Sequence, residues 1–298
     1  MPIECLRSSD YDVVEFYKNH ETVSETLGLD LTATVALARA LPLGLRDAEH
    51  QELRFELAKI LAEGKRKLMP QLPNLVEMHF GLLDVPGIHD LLHDVCKPFV
   101  NDCMGILAGT QIENREFDNL SDIFDPAIGF SKRKRLEANT KRLLTQAIES
   151  SKTHDKNGAA FQLAVAVMGR DALLGSIAFS LHRHFVLVKD SAINARRFPM
   201  VPTDTGVPYI WRIGVAPKTE GKTYECHLGR LVGADDDERL KLFGLGAHTC
   251  LGKVHSLKIF EALSEHLSRK GRTVRMVSIS QMEKHVLKIP ETFEIGLE

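Results

Sequence analysis

The sequence predicts a mainly α-helical protein with a minor β portion near its C-terminus, folded as a single domain over residues 1–298. Apolar residues recur at helical spacing through most of the chain before Pro199. After that proline, short β-like runs punctuated by proline and glycine take over, as in residues 207–215 and 222–229. No linker-like stretch divides the chain, and a chain of this length can bury about three quarters of its surface as one core.

Charge and cysteine content exclude several classes of protein. The chain has 38 basic and 40 acidic residues and a net charge of −2, whereas a general nucleic-acid binder carries a positive excess. Five sparse cysteines do not form a disulfide framework, and they predict reduced thiols in a cytoplasmic protein. The N-terminus lacks an apolar signal segment, and no apolar stretch is long enough to predict a membrane span. We therefore expect neither nucleic acid nor a membrane as a partner.

Helical segments are predicted in the first half of the chain from caps and apolar stripes. Asp10 is suited to cap a short helix over residues 11–18. Residues 47–64 carry a leucine-rich stripe and end at a glycine, which predicts a helix of that extent. Residues 88–108 predict another helix, bent near Pro98.

Later segments predict the rest of the architecture. Residues 132–151 predict an exposed helix whose basic run is a solvated face. Residues 158–185 form the most apolar long segment, so we expect a buried central helix there. A further helix is predicted from Cys250 to about residue 270, and the tail predicts two or three short strands.

The segment 243–252, FGLGAHTCLG, is the most informative stretch for chemistry. Gly244 and Gly246 allow a tight loop with positive φ angles. Cys250 then lies at the start of a helix, where free N–H groups and the helix dipole favour an anion, so we expect a lowered pKa and a thiolate. Such a thiolate suits a soft metal, including a haem iron. Gly252 removes a side chain beside the sulfur, which would let a flat macrocycle approach.

This loop resembles the cysteine-ligand loop of the cytochrome P-450 family, F-G-x-G-x-[HR]-x-C-x-G. Every fixed position of that pattern is filled, by Phe243, Gly244, Gly246, His248, Cys250 and Gly252. The resemblance implies a b-type haem with Cys250 as the metal ligand. It also implies a shortened P-450-like fold with the haem between a long central helix and the cysteine loop.

Four basic residues resemble the family's propionate-binding groups. His50 and Arg54 are four residues apart on one predicted helix face and look like the family's H-x-x-x-R. Arg212 resembles the strand arginine that meets a haem propionate, and His248 belongs to the cysteine loop. Charged hydrogen bonds from these side chains suit two carboxylates.

The central helix both matches and departs from the family pattern. Met168 to Leu173 aligns with the oxygen-side A-G-x-[DE]-T-T, which implies a catalytic segment of Gly169, Arg170, Asp171 and Ala172. Gly169 would leave room above the haem and Asp171 would be the acid. Ala172 replaces the threonine whose hydroxyl helps deliver protons to oxygen.

Helical spacing predicts which residues of this segment share a face. Met168, Ala172 and Ser176, with Gly169 beside them, are expected to face the iron, whereas Arg170 and Asp171 turn away.

Other family features are missing or shortened. Asn194 stands where the helical E-x-x-R motif has its glutamate, although Arg197 is suitably placed. Most of the N-terminal sheet, the lid helices and the segment before Phe243 are expected to be reduced.

The resemblance implies a haem-thiolate monooxygenase or peroxygenase. It would oxidise a small, partly apolar molecule, in secondary metabolism, with peroxide or with oxygen and a ferredoxin- or flavodoxin-type electron donor. The substrate is expected between the central helix and the apolar segment 33–45. Two alternatives remain open: a haem-thiolate dehydratase or isomerase that does not activate oxygen, and a non-catalytic haem-binding or sensor protein. The missing threonine and glutamate favour these alternatives, but the family also contains members with alanine at this position, in which substrate or water supplies the hydroxyl. Oxidation therefore stays the preferred prediction.

Overall fold

The computed structural model describes residues 8, 10–112, 117, 119–125, 127–150, 156–232, 234–284 and 287–298. The described chain is mainly helical, which confirms the predicted fold class. Its α-helices, in chain order, are α1 (Phe16–Leu27), α2 (Thr32–Arg39), α3 (Asp47–Phe80), α4 (Lys97–Ala108), α5 (Phe130–Ser150), α6 (Lys156–Leu187), α7 (Asp236–Arg239) and α8 (Lys253–Leu267).

Two antiparallel sheets accompany the helices. The strands are β1 (Tyr11–Val13), β2 (Gly87–Asp90), β3 (Tyr209–Gly214), β4 (Thr223–His227), β5 (Val274–Lys284) and β6 (Leu287–Leu297). One sheet has the order β1-β3-β4 and the other β2-β6-β5. The predicted tail strands are thus one long hairpin, β5–β6, paired on its other side with β2.

The central position predicted for the most apolar helix is confirmed. Helix α6 packs against α3, α4, α5 and the β5–β6 hairpin. It is long and apolar enough to cross a membrane by composition alone, but 78% of its most apolar window is buried inside the protein. Packing within the core therefore accounts for its apolar character.

Helix α3 is much longer than the segment 47–64 predicted from sequence, because Gly64 is not its end. A Cβ atom on Gly64 would lie 2.3 Å from the carbonyl oxygen of Leu107. The glycine thus lets α3 and α4 pack with their backbones in contact.

Two other predicted segments are wrong in detail. Residues 11–13 form β1 rather than the start of a helix, since they pair with β3 and bury Val13. Residues 87–90 pair with β6 as a strand, so the predicted helix 88–108 begins later. Residues 92–96 form a π-helical turn that continues directly into α4, so the helical segment runs from residue 91 to residue 108. The irregular turn ends two residues before Pro98, near the position of the predicted bend.

The cysteines also differ from expectation. Cys96 and Cys103 are free and fully buried, and burial raises the pKa of each thiol. Cys226, however, is disulfide-bonded. The prediction of reduced thiols therefore fails for Cys226.

Candidate active site

A cavity of about 230 Å³ lies between α6 and the cysteine loop. Helix α6 contributes the face predicted from helical spacing, Met168, Gly169, Ala172 and Ser176. Apolar side chains supply most of the other walls, among them Leu43, Leu57, Leu61, Leu107, Val165, Leu173, Val207, Ile210, Ile259 and Phe260. Part of the predicted substrate segment 33–45 therefore reaches the cavity.

The cysteine loop is shaped by its glycines, as the sequence predicts. Gly244 and Gly246 have φ angles of 80° and 63°. A Cβ atom on Gly244 would also come 2.9 Å from the carbonyl oxygen of His248. Both the positive φ angle and this close contact therefore disfavour a side chain at that position. The Cys250 N–H donates to the Phe243 carbonyl at 2.7 Å. This bond closes the loop and places the cysteine against the cavity.

The expected lowering of the Cys250 pKa is not found. The Cys250 residue is exposed on the side of the cavity, yet desolvation by the surrounding protein atoms raises the pKa of its thiol above its ordinary value. The N–H groups of Gly252 and Lys253 and the charge of Arg54 act in the opposite direction, but they do not outweigh desolvation. A metal cation bound to the sulfur would reverse this balance.

A basic cluster from α3, β3 and the cysteine loop surrounds the other end of the site. The rings of His50 and His248 have centroids 4.6 Å apart. The Arg54 Nη2 donates to the Thr249 carbonyl at 2.9 Å, and Arg212 is buried. Burial lowers the pKa of His248 to about 4, with further lowering by Arg212, His50 and Arg54. Burial also lowers the pKa of Arg212 to about 10.

The donor set of this cluster fits a ligand with two carboxylates. The buried Arg212 Nη2 and His248 Nδ1 have no hydrogen-bond partner among the described residues. Leaving buried polar groups unpaired costs about 1–3 kcal/mol each, which carboxylate acceptors would remove. A Cβ atom on Gly252 would lie 3.5 Å from the Cys250 Sγ, and the Cys250 residue is exposed, so the glycine leaves the approach to the sulfur free. A flat dicarboxylate macrocycle with a thiolate ligand, such as haem, fits these residues.

The four residues of the predicted catalytic segment are divided between two sides of α6. Gly169 and Ala172 line the cavity. Arg170 and Asp171 are both buried away from it, with Nη1 and Oδ1 2.7 Å apart, and the Arg170 Nε donates to Asn101. This pair lines a second cavity, of about 510 Å³, which contains none of the cysteine-loop residues.

The role expected for Gly169 needs a correction. A Cβ atom there would come 2.4 Å from the Cε of Met104. The space that the glycine leaves is therefore used by a methionine from α4.

The region of the missing E-x-x-R motif has a different structure from the family pattern. Asn194 lies in the short 3-10 turn Ile193–Ala195, and its N–H donates to the carbonyl of Lys270. Arg197 is exposed and contacts the sulfur of Met200.

Sequence reasoning missed the loop 202–207, which closes one side of the cavity with Pro202, Asp204, Thr205 and Val207. Its N–H groups bond to serines of α6: Thr203 to Ser180 at 3.0 Å and Gly206 to Ser176 at 3.1 Å. The prolines and glycine marked an irregular segment, but they did not show what it packs against.

No family sequence model and no curated protein sequence matches this chain. Solved cytochrome P450 structures, in contrast, match its fold over almost its full length. P450BioI, solved with acyl carrier protein bearing hexadec-9Z-enoic acid, has a TM-score of 0.74 at 12% identity, covering 99% of this chain and 90% of that one. CalO2 has a TM-score of 0.76 at 13% identity, with 99% and 88% covered.

The thermophilic cytochrome P450 from Sulfolobus tokodaii is a further match, with a TM-score of 0.65 at 16% identity and 99% and 92% of the two chains covered. The protein therefore has a cytochrome P450 fold. The fold expected from ten residues of the cysteine loop is confirmed.

Proposed function

We propose that this protein is a haem-thiolate oxidoreductase of the cytochrome P-450 type, with a b-type haem in the cavity and Cys250 as its iron ligand. The observation that carries the proposal is the meeting of two features at one cavity. Cys250 lies there with an open face, and a buried basic cluster with unpaired donors lies beside it. The Arg54 bond to the Thr249 carbonyl links the two features directly.

Each residue of the site has a separate task in binding. His50, Arg54, Arg212 and His248 hold the two propionates by charged hydrogen bonds. Phe243, Gly244 and Gly246 shape the loop, and the N–H groups of Gly252 and Lys253 stabilise the sulfur as a thiolate. When bound, a haem with a thiolate ligand supplies oxidation chemistry that no side chain of the cavity can.

The substrate side of the cavity supports a small organic molecule of mainly apolar character. Leu43, Val165, Leu173 and Val207 face it with few polar groups between them. This mainly apolar lining favours apolar carbon positions near the reacting centre.

An electron donor of the ferredoxin or flavodoxin type would dock near the cysteine loop. Phe55, next to Arg54 on α3, is 63% exposed, and Val254 on α8 is 51% exposed. The Nζ of Lys59 lies 4.2 Å from the ring centroid of Phe55. An exposed aromatic side chain beside a lysine suits contact with a small acidic protein, which would compete with Glu56, the ion-pair partner of Lys59 at 2.6 Å.

One observation favours a second function, that of a haem-thiolate enzyme such as a dehydratase or isomerase, which does not activate oxygen. Ala172 offers no hydroxyl, and Asp171 is ion-paired with Arg170 on the far side of α6. The cavity face of α6 thus lacks both proton-handling groups of the family pattern. Mixing the reduced protein with oxygen, with and without candidate substrates, separates this function from oxidation.

The test of the proposed function is the optical spectrum of the purified protein. After expression with a haem precursor, reduction and carbon monoxide should produce the long-wavelength Soret band from which the family takes its name. Cys250→Ala should abolish this band. Cys96→Ala, which changes a buried free thiol elsewhere, should keep it. Purification without haem would refute the proposal.

A further inference from the structure

Asp204 is the one carboxylate among the described residues that line the cavity. The positively charged or titratable residues there are Arg54, His248, Cys250 and His255. The first three belong to the proposed haem site. Asp204 therefore supplies the negative charge of the apolar substrate side.

The backbone around Asp204 is fixed against α6 on both sides. The Thr203 N–H donates to Ser180 and the Gly206 N–H to Ser176, one helical turn away. A Cβ atom on Gly206 would come 2.4 Å from the Ala172 carbonyl oxygen, so the loop and the helix touch at their backbones. Asp204 is thus held against α6 between the contacts to Ser180 and Ser176, while Gly206 of the same loop meets the backbone at Ala172.

The Asp204 carboxylate keeps hydrogen-bonding capacity. Its Oδ1 accepts the Thr205 N–H at 2.7 Å. Its Oδ2 lies 3.6 Å from the Nζ of Lys288, beyond hydrogen-bond distance, while that Nζ also lies 4.1 Å from the centroid of the Phe179 ring. Lys288 is therefore within ion-pair distance of Asp204, and the charge of Asp204 also acts on His182. The 3.6 Å separation still leaves Oδ2 able to accept a shorter hydrogen bond.

We propose that Asp204 binds a basic nitrogen of the substrate, so that the enzyme selects small, mainly apolar organic cations. This inference rests on the proposed function, whose cavity it uses. A carboxylate in an apolar wall attracts a protonated amine by a charge-assisted hydrogen bond and repels a carboxylate of the same shape. A neutral isostere gains only the apolar contacts. The α6 wall of the cavity carries no charge at Met168, Gly169 or Ala172. These residues therefore do not distinguish a cation from its neutral isostere.

The inference is tested with two compounds of the same shape, of which one is a cation and the other is neutral. They are protonated 2-(dimethylamino)ethanol and 3-methylbutan-1-ol. The protonated nitrogen has no lone pair with which to bind iron. Calorimetric titration of the haem-loaded protein at neutral pH should show about tenfold tighter binding of the cation, the worth of one charge-assisted hydrogen bond. Asp204→Asn should remove the preference without changing the affinity for the alcohol.

Two further variants keep the result interpretable. Lys288→Met removes the competing charge and should raise the affinity for the cation above that of the wild type. Asp237→Asn, on the exposed helix α7, should change neither affinity. Equal affinities in the wild type, or a preference that survives Asp204→Asn, would overturn the inference.

If Asp204→Asn does not fold, the titrations of Lys288→Met test the inference instead. A preference of this variant for the cation that equals or falls below that of the wild type overturns the inference. Failure of the proposed function is distinguishable, because it appears earlier, as a protein that does not load haem.

Discussion

Gly175 and Gly206 lie against each other at the contact between α6 and the loop 202–207. A Cβ atom on Gly175 would come 2.6 Å from the Cα of Gly206. A Cβ atom on Gly206 would in turn meet the Ala172 carbonyl oxygen at 2.4 Å. Two glycines are therefore required for the loop to reach the helix backbone and to bring Asp204 to the cavity.

This contact predicts the effect of enlarging one of the glycines. Gly206→Ala should lower the free energy of unfolding by about 1–3 kcal/mol, since the methyl group meets backbone that cannot move aside. Denaturant unfolding measures the change. Gly229→Ala is the matched control, because a Cβ atom there would meet its nearest neighbour, the Pro208 carbonyl oxygen, at an ordinary 3.6 Å. Equal stability of the two variants would contradict the prediction.

The basic cluster predicts a loss of haem retention when a charge is removed. Arg54→Ala or Arg212→Ala should weaken haem binding about ten- to a hundredfold, since each removes a charged hydrogen bond worth about 1.5–3 kcal/mol. Haem transfer to apomyoglobin measures the loss. Arg196→Ala, at an exposed position away from the cavity, should retain haem like the wild type. Wild-type retention in both cluster variants would remove these arginines from the site.

His20 predicts a loss of stability in acid. It is buried, its Nδ1 lies 3.0 Å from the Nη1 of Arg133, and its Nε2 lies 3.0 Å from the Ile123 carbonyl oxygen. Arg133 can only donate and the carbonyl can only accept, so the ring must be neutral to satisfy both bonds. Burial, with a further contribution from Arg133, lowers the pKa of His20, although the Ile123 bond opposes the shift.

The sign follows from proton binding. The unfolded chain takes up the His20 proton near its ordinary pKa of about 6.5, before the folded protein does. The contribution to stability is therefore complete above that pH and falls as the pH drops toward the lowered folded value. Denaturant unfolding between about pH 7 and about pH 5 should show a shallower decline in His20→Gln than in the wild type. Parallel curves would contradict this.

Ala172→Thr tests whether the native chemistry depends on the missing hydroxyl. Ala172 is partly exposed in the cavity, so a threonine there adds a hydroxyl and a methyl group beside the substrate. If the substrate supplies its own proton-handling group, the substitution should change the ratio of product formed to oxygen consumed, or crowd the substrate. Oxygen-electrode measurements with product analysis give this ratio. Efficient wild-type hydroxylation of a hydrocarbon without any polar group, unaffected by the threonine, would refute substrate-assisted proton delivery.

The sequence by itself determined the features that depend on neighbouring residues. Ten consecutive residues determine the conformation of the cysteine loop, because its glycine φ angles and its closing hydrogen bond from Cys250 to Phe243 are local. The division of α6 into a cavity face and a buried Arg170–Asp171 pair follows from helical periodicity alone. Local conformation and helical spacing depend only on neighbouring residues, so the order of the residues is sufficient to predict them.

Only the tertiary structure decided the features that depend on distant partners. Tyr11–Val13 is a strand because it pairs with β3. Gly64 lies inside α3, where the absence of a side chain lets the backbone of α4 at Leu107 pack against it. Desolvation by atoms of several segments raises the pKa of Cys250, although the local N–H groups favour the thiolate. Asp204 faces the cavity because Gly206 is bonded to Ser176, thirty residues earlier in the chain. Desolvation and backbone contact between remote segments depend on the whole packed chain, so no local pattern could reveal them.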